Sequence, residues 1–333
     1  MTAQHTGVWG QTLVEELLKR GIKPASIAGN TGINLRALSG DEPKISFDHL
    51  AGLFERAAEL TGDDLIGFQH AQNRDYRRGG LIAYAGTSSP TVRSLLQNLA
   101  RYQRITSDTI EINLGRLDGE GILEWHFEVL RGVVRRQYLE FGATGIIDII
   151  RRLTNRRISP RLVQFRHFRS TNIQPIAQFF GCTVEFGSVE NQIVFKEGDL
   201  DLPLRSANGQ LYRILRKFCE AALAEHGRSK PSIVLSVEKC IAADPITTQA
   251  KVAHDLGMST RTLARRLTEA ETTFFSVFEA YREAMAKSMI ADTDMSFTEV
   301  AFVLGYSDPS TFSTAFKRWT GQTPTLYRRQ VRS

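Results

Sequence analysis

The 333-residue chain has only three cysteines, Cys182, Cys219 and Cys240, an odd number set far apart. They form neither a disulfide framework nor a zinc knuckle, and they suit a reducing cytoplasm. No histidine stands at ligand spacing from another histidine, a cysteine or a paired carboxylate, so His49 and His70 read as surface or satisfied core residues and no metal or cofactor is expected. Long apolar runs are also missing. Residues 1–20 place Trp9, Leu13, Leu17 and Leu18 at helical spacing without a continuous core of signal-peptide or membrane length, so a cytoplasmic protein with no membrane partner is expected. Neither a glycine-rich phosphate loop after a strand nor a nucleophile elbow occurs. The net charge of +6 is split evenly before and after Arg228. It suits a polyanionic partner but does not say which part of the chain would meet it.

What the chain does have is an internal repeat near its end. Val252, Ala253, Leu256, Gly257, Met258 and Ser259 lead into Leu263 and Leu267; Val300, Ala301, Leu304, Gly305, Tyr306 and Ser307 lead into Phe312 and Phe316. The offset is 48 residues through the serine and 49 beyond it, so the second copy carries one extra residue where its turn meets the next helix. Each copy reads as a helix packing through a small alanine, a glycine free to take positive φ, a capping side chain and a second helix, which is a helix-turn-helix. Ser259 caps the second helix of copy one, and Asp308 followed by Pro309 caps that of copy two. Leu263 and Leu267 face inward, which turns Thr260, Arg261, Ala264, Arg265 and Thr268 outward; Phe312 and Phe316 do the same for Pro309, Ser310, Ser313, Thr314, Lys317 and Arg318. Short polar and basic side chains on that face suit a major groove, with Lys317 and Arg318 assigned to phosphates.

These residues, with Phe274, Arg282, Ala286, Ser296, the run from Ala315 to Gly321, Thr323-Pro324 and Tyr327-Arg328, resemble the DNA-binding domain of AraC-family transcription regulators. The resemblance implies a rod-like helix over residues 275–290 that fixes the separation of two recognition helices reading successive major grooves. Trp319, Pro324 and Tyr327 read as a lid on the second repeat.

Upstream the period changes. Helices are expected over residues 9–20, 24–28, 48–60 and 91–104, with residues 81–85 either a strand or a helix start. Residues 109–114 and 122–129 alternate as strands around Asp118-Gly119-Glu120-Gly121, a hairpin turn. A helix over 134–153, a strand over 162–168, a helix over 174–180 and strands over 183–186 and 192–195 complete an α+β unit with an antiparallel or mixed sheet. Ser88-Ser89-Pro90-Thr91, Leu95, Arg101-Tyr102, His167-Phe168, Phe180-Gly181-Cys182 and the run from Leu200 to Leu204 resemble the arabinose-binding-type N-terminal domain of the ornithine-utilisation subgroup of that family.

The expected organisation is an α+β effector-sensing and dimerisation domain over residues 1–205, a connecting helix and linker over 206–231, and an all-α DNA-binding domain over 232–333 with helix-turn-helix units near 248–269 and 297–318. The resemblance implies a homodimer that binds double-stranded promoter DNA, answers to a small-molecule effector and activates beside RNA polymerase; it carries over no effector-binding residue. A rival from another class is an enzyme fused to a DNA-binding module. Glu124, His126 and Glu128 share one strand face and could place an acid and a base, although they read more simply as the solvent face of a half-buried strand.

Overall fold

The computed structural model describes residues 4–29, 33–40, 43–107, 109–127, 136–228, 233–270 and 272–332. The upstream unit begins with a short antiparallel pair that the sequence reading does not contain, β1 (Gln4–Thr6) against β2 (Lys44–Ser46). Its helices are α1 (Val8–Lys19), α2 (Pro24–Ala28), α3 (Phe47–Thr61), α4 (Ile66–Asn73), α5 (Gly80–Thr87) and α6 (Val92–Tyr102). Residues 81–85 are therefore helical, and Thr91 caps α6 by accepting from the Ser94 amide.

β3 (Ile110–Asn113) and β4 (Ile122–Phe127) pair as the alternation requires, with Ile112 opposite Trp125. The expected hairpin turn between them is instead a single helical turn, α7 (Leu117–Glu120). Leu117 is buried and drives the turn inward, and Gly121 at φ 71 closes it by donating to the Leu117 carbonyl at 3.0 Å. The chain continues through α8 (Arg136–Thr154), β5 (Leu162–Phe165), α9 (Ile173–Phe180), β6 (Thr183–Phe186) and β7 (Asn191–Val194). The expected positions of Asn30, Glu128, Val129, Val134 and Ser232 lie outside the described residues.

The five strands run in the order β3-β4-β7-β5-β6, with β5 and β6 parallel and the other pairs antiparallel. The sheet is thus mixed. Leu123, Trp125, Val163, Phe165 and Ile193 turn to one face and pack on α6, α8 and α9, while a second core joins α1 and α3 to the other side of α8. Strand β5 is shorter than expected because His167 leaves the ladder to bond buried Glu140 of α8 at 2.9 Å. Arg169 also reaches Glu140, with Nε and Nη2 both at 2.8 Å, and pairs with Asp64 at 2.6 Å. A buried charge satisfied this fully locks α8 to the end of the sheet. His70 is likewise a satisfied core histidine, bonded to Thr12 at 3.0 Å and Glu16 at 2.5 Å.

Helix α10 (Gly209–Arg228) runs one residue past Gly227, where the sequence suggested it would stop. It lies on α5 and α6, with Cys219 fully buried among Ile82, Ala85 and Tyr102, and Glu220 takes hydrogen bonds from Arg101 at 2.7 and 2.9 Å and from the Tyr102 hydroxyl at 2.7 Å. All three cysteines are free thiols.

The downstream unit contains α11 (Ile233–Ala243), α12 (Gln249–Asp255), α13 (Thr260–Glu269), α14 (Phe274–Asp292), α15 (Phe297–Val303), α16 (Pro309–Thr320) and α17 (Pro324–Arg332). It has two cores. Val237, Val252, Leu263, Leu267, Val277 and Tyr281 fill the first; Ala286, Ile290, Val300, Leu304, Phe312 and Phe316 fill the second. Helix α14 contributes its first half to one and its second half to the other, and Met285 packs on both. It is a rod shared by two small bundles.

Candidate functional site

The two helix-turn-helix units repeat atom for atom at the turn. Gly257 donates to His254 at 2.9 Å and Met258 to Ala253 at 2.9 Å; 48 residues on, Gly305 donates to Phe302 at 3.0 Å and Tyr306 to Ala301 at 2.9 Å. Both glycines are left-handed, at φ 65 and 75. Such a backbone is strained for any residue with a Cβ, which is why both turns need glycine. The offset then becomes 49, because Ser259 caps α13 and Asp308 caps α16.

Those caps differ in charge. Ser259 accepts from the Thr262 amide at 3.2 Å, whereas Asp308 accepts from the Ser310 and Thr311 amides at 2.9 and 2.8 Å and from both hydroxyls. The Ser310 and Thr311 hydroxyls, with the backbone amides, hold the Asp308 carboxyl well below the usual carboxylate range. The start of α16 therefore already carries an anion on its free amides, and a phosphate brought there would meet that charge; at α13 the cap is neutral.

On α13, Thr260, Arg261, Ala264, Arg265 and Thr268 are all exposed, around the buried pair Leu263 and Leu267. Arg261 has no hydrogen bond or ion pair among the described residues, and Arg265 makes only a loose contact, its Nε lying 3.8 Å from Glu269. On α16, Ser310, Thr314, Lys317 and Arg318 are exposed, while Pro309 and Ser313 are partly buried. The hydroxyls of this helix are engaged internally: Ser313 donates to the Pro309 carbonyl at 2.8 Å and Thr314 to that of Ser310 at 3.0 Å. Thr268 does likewise, to Ala264 at 3.0 Å. Lys317 has no ion pair among the described residues, but Arg318 pairs with Glu279 of α14, a partner that the sequence does not supply.

Arg282 of α14 joins the two units. Its guanidinium lies 4.4 Å from the ring centre of Phe278, which packs on the first core, and 4.8 Å from that of Tyr306, which packs on the second. Behind the second unit, Tyr327 of α17 meets Phe316 at 5.4 Å, and Arg328 donates to the Met295 carbonyl at 2.6 Å while covering the Phe297 ring at 4.3 Å. The closing segment is a lid, as its aromatics suggest.

The upstream unit contains a partly open cavity of about 230 Å³. Its walls come from β1, α1, the turn after α4, α5, α6, β3, β4 and α8, and they are mostly apolar, with Trp9, Leu95, Ile112, Trp125 and Ile149 among them. No sequence motif marks it, because its lining is gathered from separated elements, a residue or two at a time. Glu124 and His126, considered for catalysis, lie elsewhere. His126 sits 3.3 Å from Glu111 on the half-exposed outer face of the sheet, Glu124 is partly exposed beside it, and Glu128 is outside the described residues. Among the described residues no group of histidine, cysteine or carboxylate side chains could hold a metal ion, and no helix is long and apolar enough to cross a membrane.

Comparison with known proteins agrees with both units. Residues 21–204 match the family described as the arabinose-binding domain of AraC transcription regulators, N-terminal, and residues 252–330 match a helix-turn-helix domain family. An uncharacterised HTH-type transcriptional regulator of Mycobacterium tuberculosis is 26% identical over 330 residues, covering 96% of this chain and 95% of its own. The ornithine utilization regulator of Pseudomonas aeruginosa is 23% identical over 322 residues, with 96% and 95% covered. The crystal structure of the transcriptional regulator CdpR from Pseudomonas aeruginosa aligns over 97% of this chain and 98% of its own with 20% identity and a TM-score of 0.46. With a sensory-domain model matched over more than half of its length and a helix-turn-helix domain behind it, the chain belongs to the AraC family of transcription regulators, and it is an effector-responsive DNA-binding protein.

Proposed function

We propose that this regulator is a cytoplasmic, non-enzymatic activator that binds promoter DNA as a homodimer and recruits RNA polymerase when an effector occupies the upstream unit. Residues 1–205 then sense and dimerise, 206–231 connect, and 232–333 bind DNA. The observation that carries this reading is the position of α5. Ile82, Ala83 and Gly86 line the cavity, while Ile82 and Ala85 of the same helix pack around Cys219 of α10, the helix that leads toward the DNA-binding unit. A ligand that shifts α5 has a packed element through which to bias α10.

The dimer reading is supported by the outer face of α10. Leu211, Ile214 and Phe218 are exposed, Phe218 by 62%, and their spacing of three and four residues forms a stripe suited to pairing with a second copy. Arg101 and Glu220 hold the opposite side of α10 to α6 as a bidentate ion pair, which leaves the stripe facing outward. Sedimentation of wild type against Phe218→Glu tests the dimer, and transcription from a bound promoter with purified polymerase tests activation. An unchanged dimer in Phe218→Glu moves the interface elsewhere, and a promoter that is bound but not stimulated refutes the activator.

A further inference from the structure

The cavity wall contains one charge with no counter-ion in contact. Arg74 follows α4 and lines the cavity. Its guanidinium carbon lies 4.6 Å from the centre of the Trp9 ring and 4.7 Å from that of Phe141, rings that are 5.8 Å apart and flank it from one side, and the residue as a whole is only partly buried. It makes no hydrogen bond or ion pair among the described residues. Asp148, the nearest acidic influence, is taken by Arg152 at 2.8 Å, and the Tyr138 hydroxyl bonds His5 at 3.0 Å. Burial lowers the pKa of Arg74 to about 10, which still leaves it charged at neutral pH. The fold makes room for it: a Cβ on Gly145 of α8 would overlap the guanidinium.

A partly buried guanidinium with no counter-ion is costly, and the cost falls when an anion reaches it. The remaining walls are predominantly apolar, with His5, Thr6, Gln103, Thr106, Ser107 and the hydroxyls of Tyr76 and Tyr138 as the polar minority. A sugar, which needs a hydrogen-bond partner for each hydroxyl, is poorly served by such walls; a molecule with one anionic end and an apolar body is served by both features. A cavity of 150 Å³ holds benzene, so this one has room for roughly nine non-hydrogen atoms. We propose that the effector site of this regulator is the Arg74 cavity and that its ligand is a small apolar monocarboxylate, with the carboxylate on Arg74 and the hydrocarbon part among the rings and aliphatic side chains of α5, α6 and α8.

This assignment rests on the effector-responsive reading for its biological meaning but not for its test. Octanoate and phenylacetate serve as probes, with octanamide, phenylacetamide and L-arabinose as neutral comparators, titrated into the full chain by calorimetry and thermal shift. The carboxylates are expected to bind roughly ten-fold or more tightly than their amides, since a hydrogen bond to a charged partner is the stronger kind. Arg74→Met should erase that preference. Gly142→Leu should weaken all of these ligands together, because Gly142 lines the cavity and a Cβ there meets open space, so the fold tolerates the added side chain while the cavity fills. Amides that bind as tightly as acids, carboxylate binding that survives in both variants, or arabinose binding where no carboxylate binds would each overturn the assignment. A carboxylate that binds through Arg74 without altering DNA affinity would leave the site standing and refute the effector reading instead.

Discussion

Trp319 donates its indole N–H to the Glu279 carboxylate at 2.9 Å, which ties the last turn of the second recognition helix to the rod between the two units. Arg318 pairs with the same carboxylate, so one mostly buried acid holds two consecutive residues of α16. Trp319→Phe keeps one aromatic ring but removes the donor and the rest of the indole, and should lower stability by about 1–3 kcal/mol. Truncation after Arg318 removes Trp319 and Tyr327 together and should cost several kcal/mol while abolishing DNA binding. Urea unfolding of the variants tests both, and a truncated protein that melts normally refutes the lid.

The two turn glycines are not equivalent. A Cβ on Gly257 meets nothing within 4 Å, whereas one on Gly305 would lie 2.5 Å from Cγ2 of Ile246. Gly257→Ala therefore bears only the left-handed backbone penalty of about 1 kcal/mol, and Gly305→Ala should lose more. Thermal melts of the pair, together with Gly305→Ala in an Ile246→Ala background, separate backbone strain from overlap. Equal losses in the two single variants would remove the Ile246 contact from the account.

Acid should loosen the upstream unit through Glu140. Burial alone would raise its pKa, but the hydrogen bonds from His167 and Arg169 prevail and hold the carboxyl below its ordinary range. A depressed folded pKa adds stability above the unfolded value of about 4.3 and loses it as the pH falls through the folded value. Urea midpoints should consequently fall as the pH drops below about 4. Glu140→Gln should flatten that dependence and, near neutrality, cost about 3–5 kcal/mol by leaving buried Arg169 with Asp64 as its remaining counter-ion. A variant with the wild-type pH slope would acquit Glu140.

The parts of the fold that were legible in the sequence are those set by local chemistry. Glycine, cap and apolar spacing fixed both helix-turn-helix units, down to the extra residue before Asp308, because each signal acts within a few residues of itself. Asp118-Gly119-Glu120-Gly121 misled for the complementary reason. Its composition suits a tight hairpin turn, and only the burial of Leu117 against the core selects a helical turn instead. The order β4-β7-β5 depends on pairings between distant strands, and no local pattern encodes it. Arg74 was invisible for a similar reason: beside Arg77 and Arg78 it reads as one more surface base, and what sets it apart is supplied by Trp9, Phe141 and Gly145 from other helices.

Lys317 and Arg318 should now behave differently, although sequence alone assigns both to phosphates. Lys317 is exposed and has no ion pair among the described residues, so Lys317→Ala should weaken all DNAs alike and flatten the salt dependence by about one unit of slope. Arg318→Ala should act first on stability through Glu279. Binding isotherms over a salt series decide, and an unchanged slope for Lys317→Ala takes it off the contact surface.

The last expectation concerns unequal work by the two recognition helices. Among the described residues Arg261 has no partner and Arg265 only a loose, exposed contact to Glu269, so both guanidinium forks are available for bidentate bonds to guanine. On α16, by contrast, Ser310 is committed to Asp308, Ser313 to Pro309 and Thr314 to Ser310, and the carboxylate cap sets a negative charge at the helix start. The first unit should therefore supply most base discrimination, and the second should fix register. A bidentate arginine contact is worth about 1–3 kcal/mol of discrimination, so Arg265→Ala should cost roughly ten-fold or more on the preferred site and relax one base position. Ser313→Ala should cost a small fraction of that, since it removes a hydroxyl already bonded to its own helix. Affinities measured on a library of single-base variants settle the division of labour. If Arg265→Ala weakens every variant equally while Ser313→Ala or Thr314→Ala changes the preferred base, then the arginine holds a phosphate and the second helix is the reader.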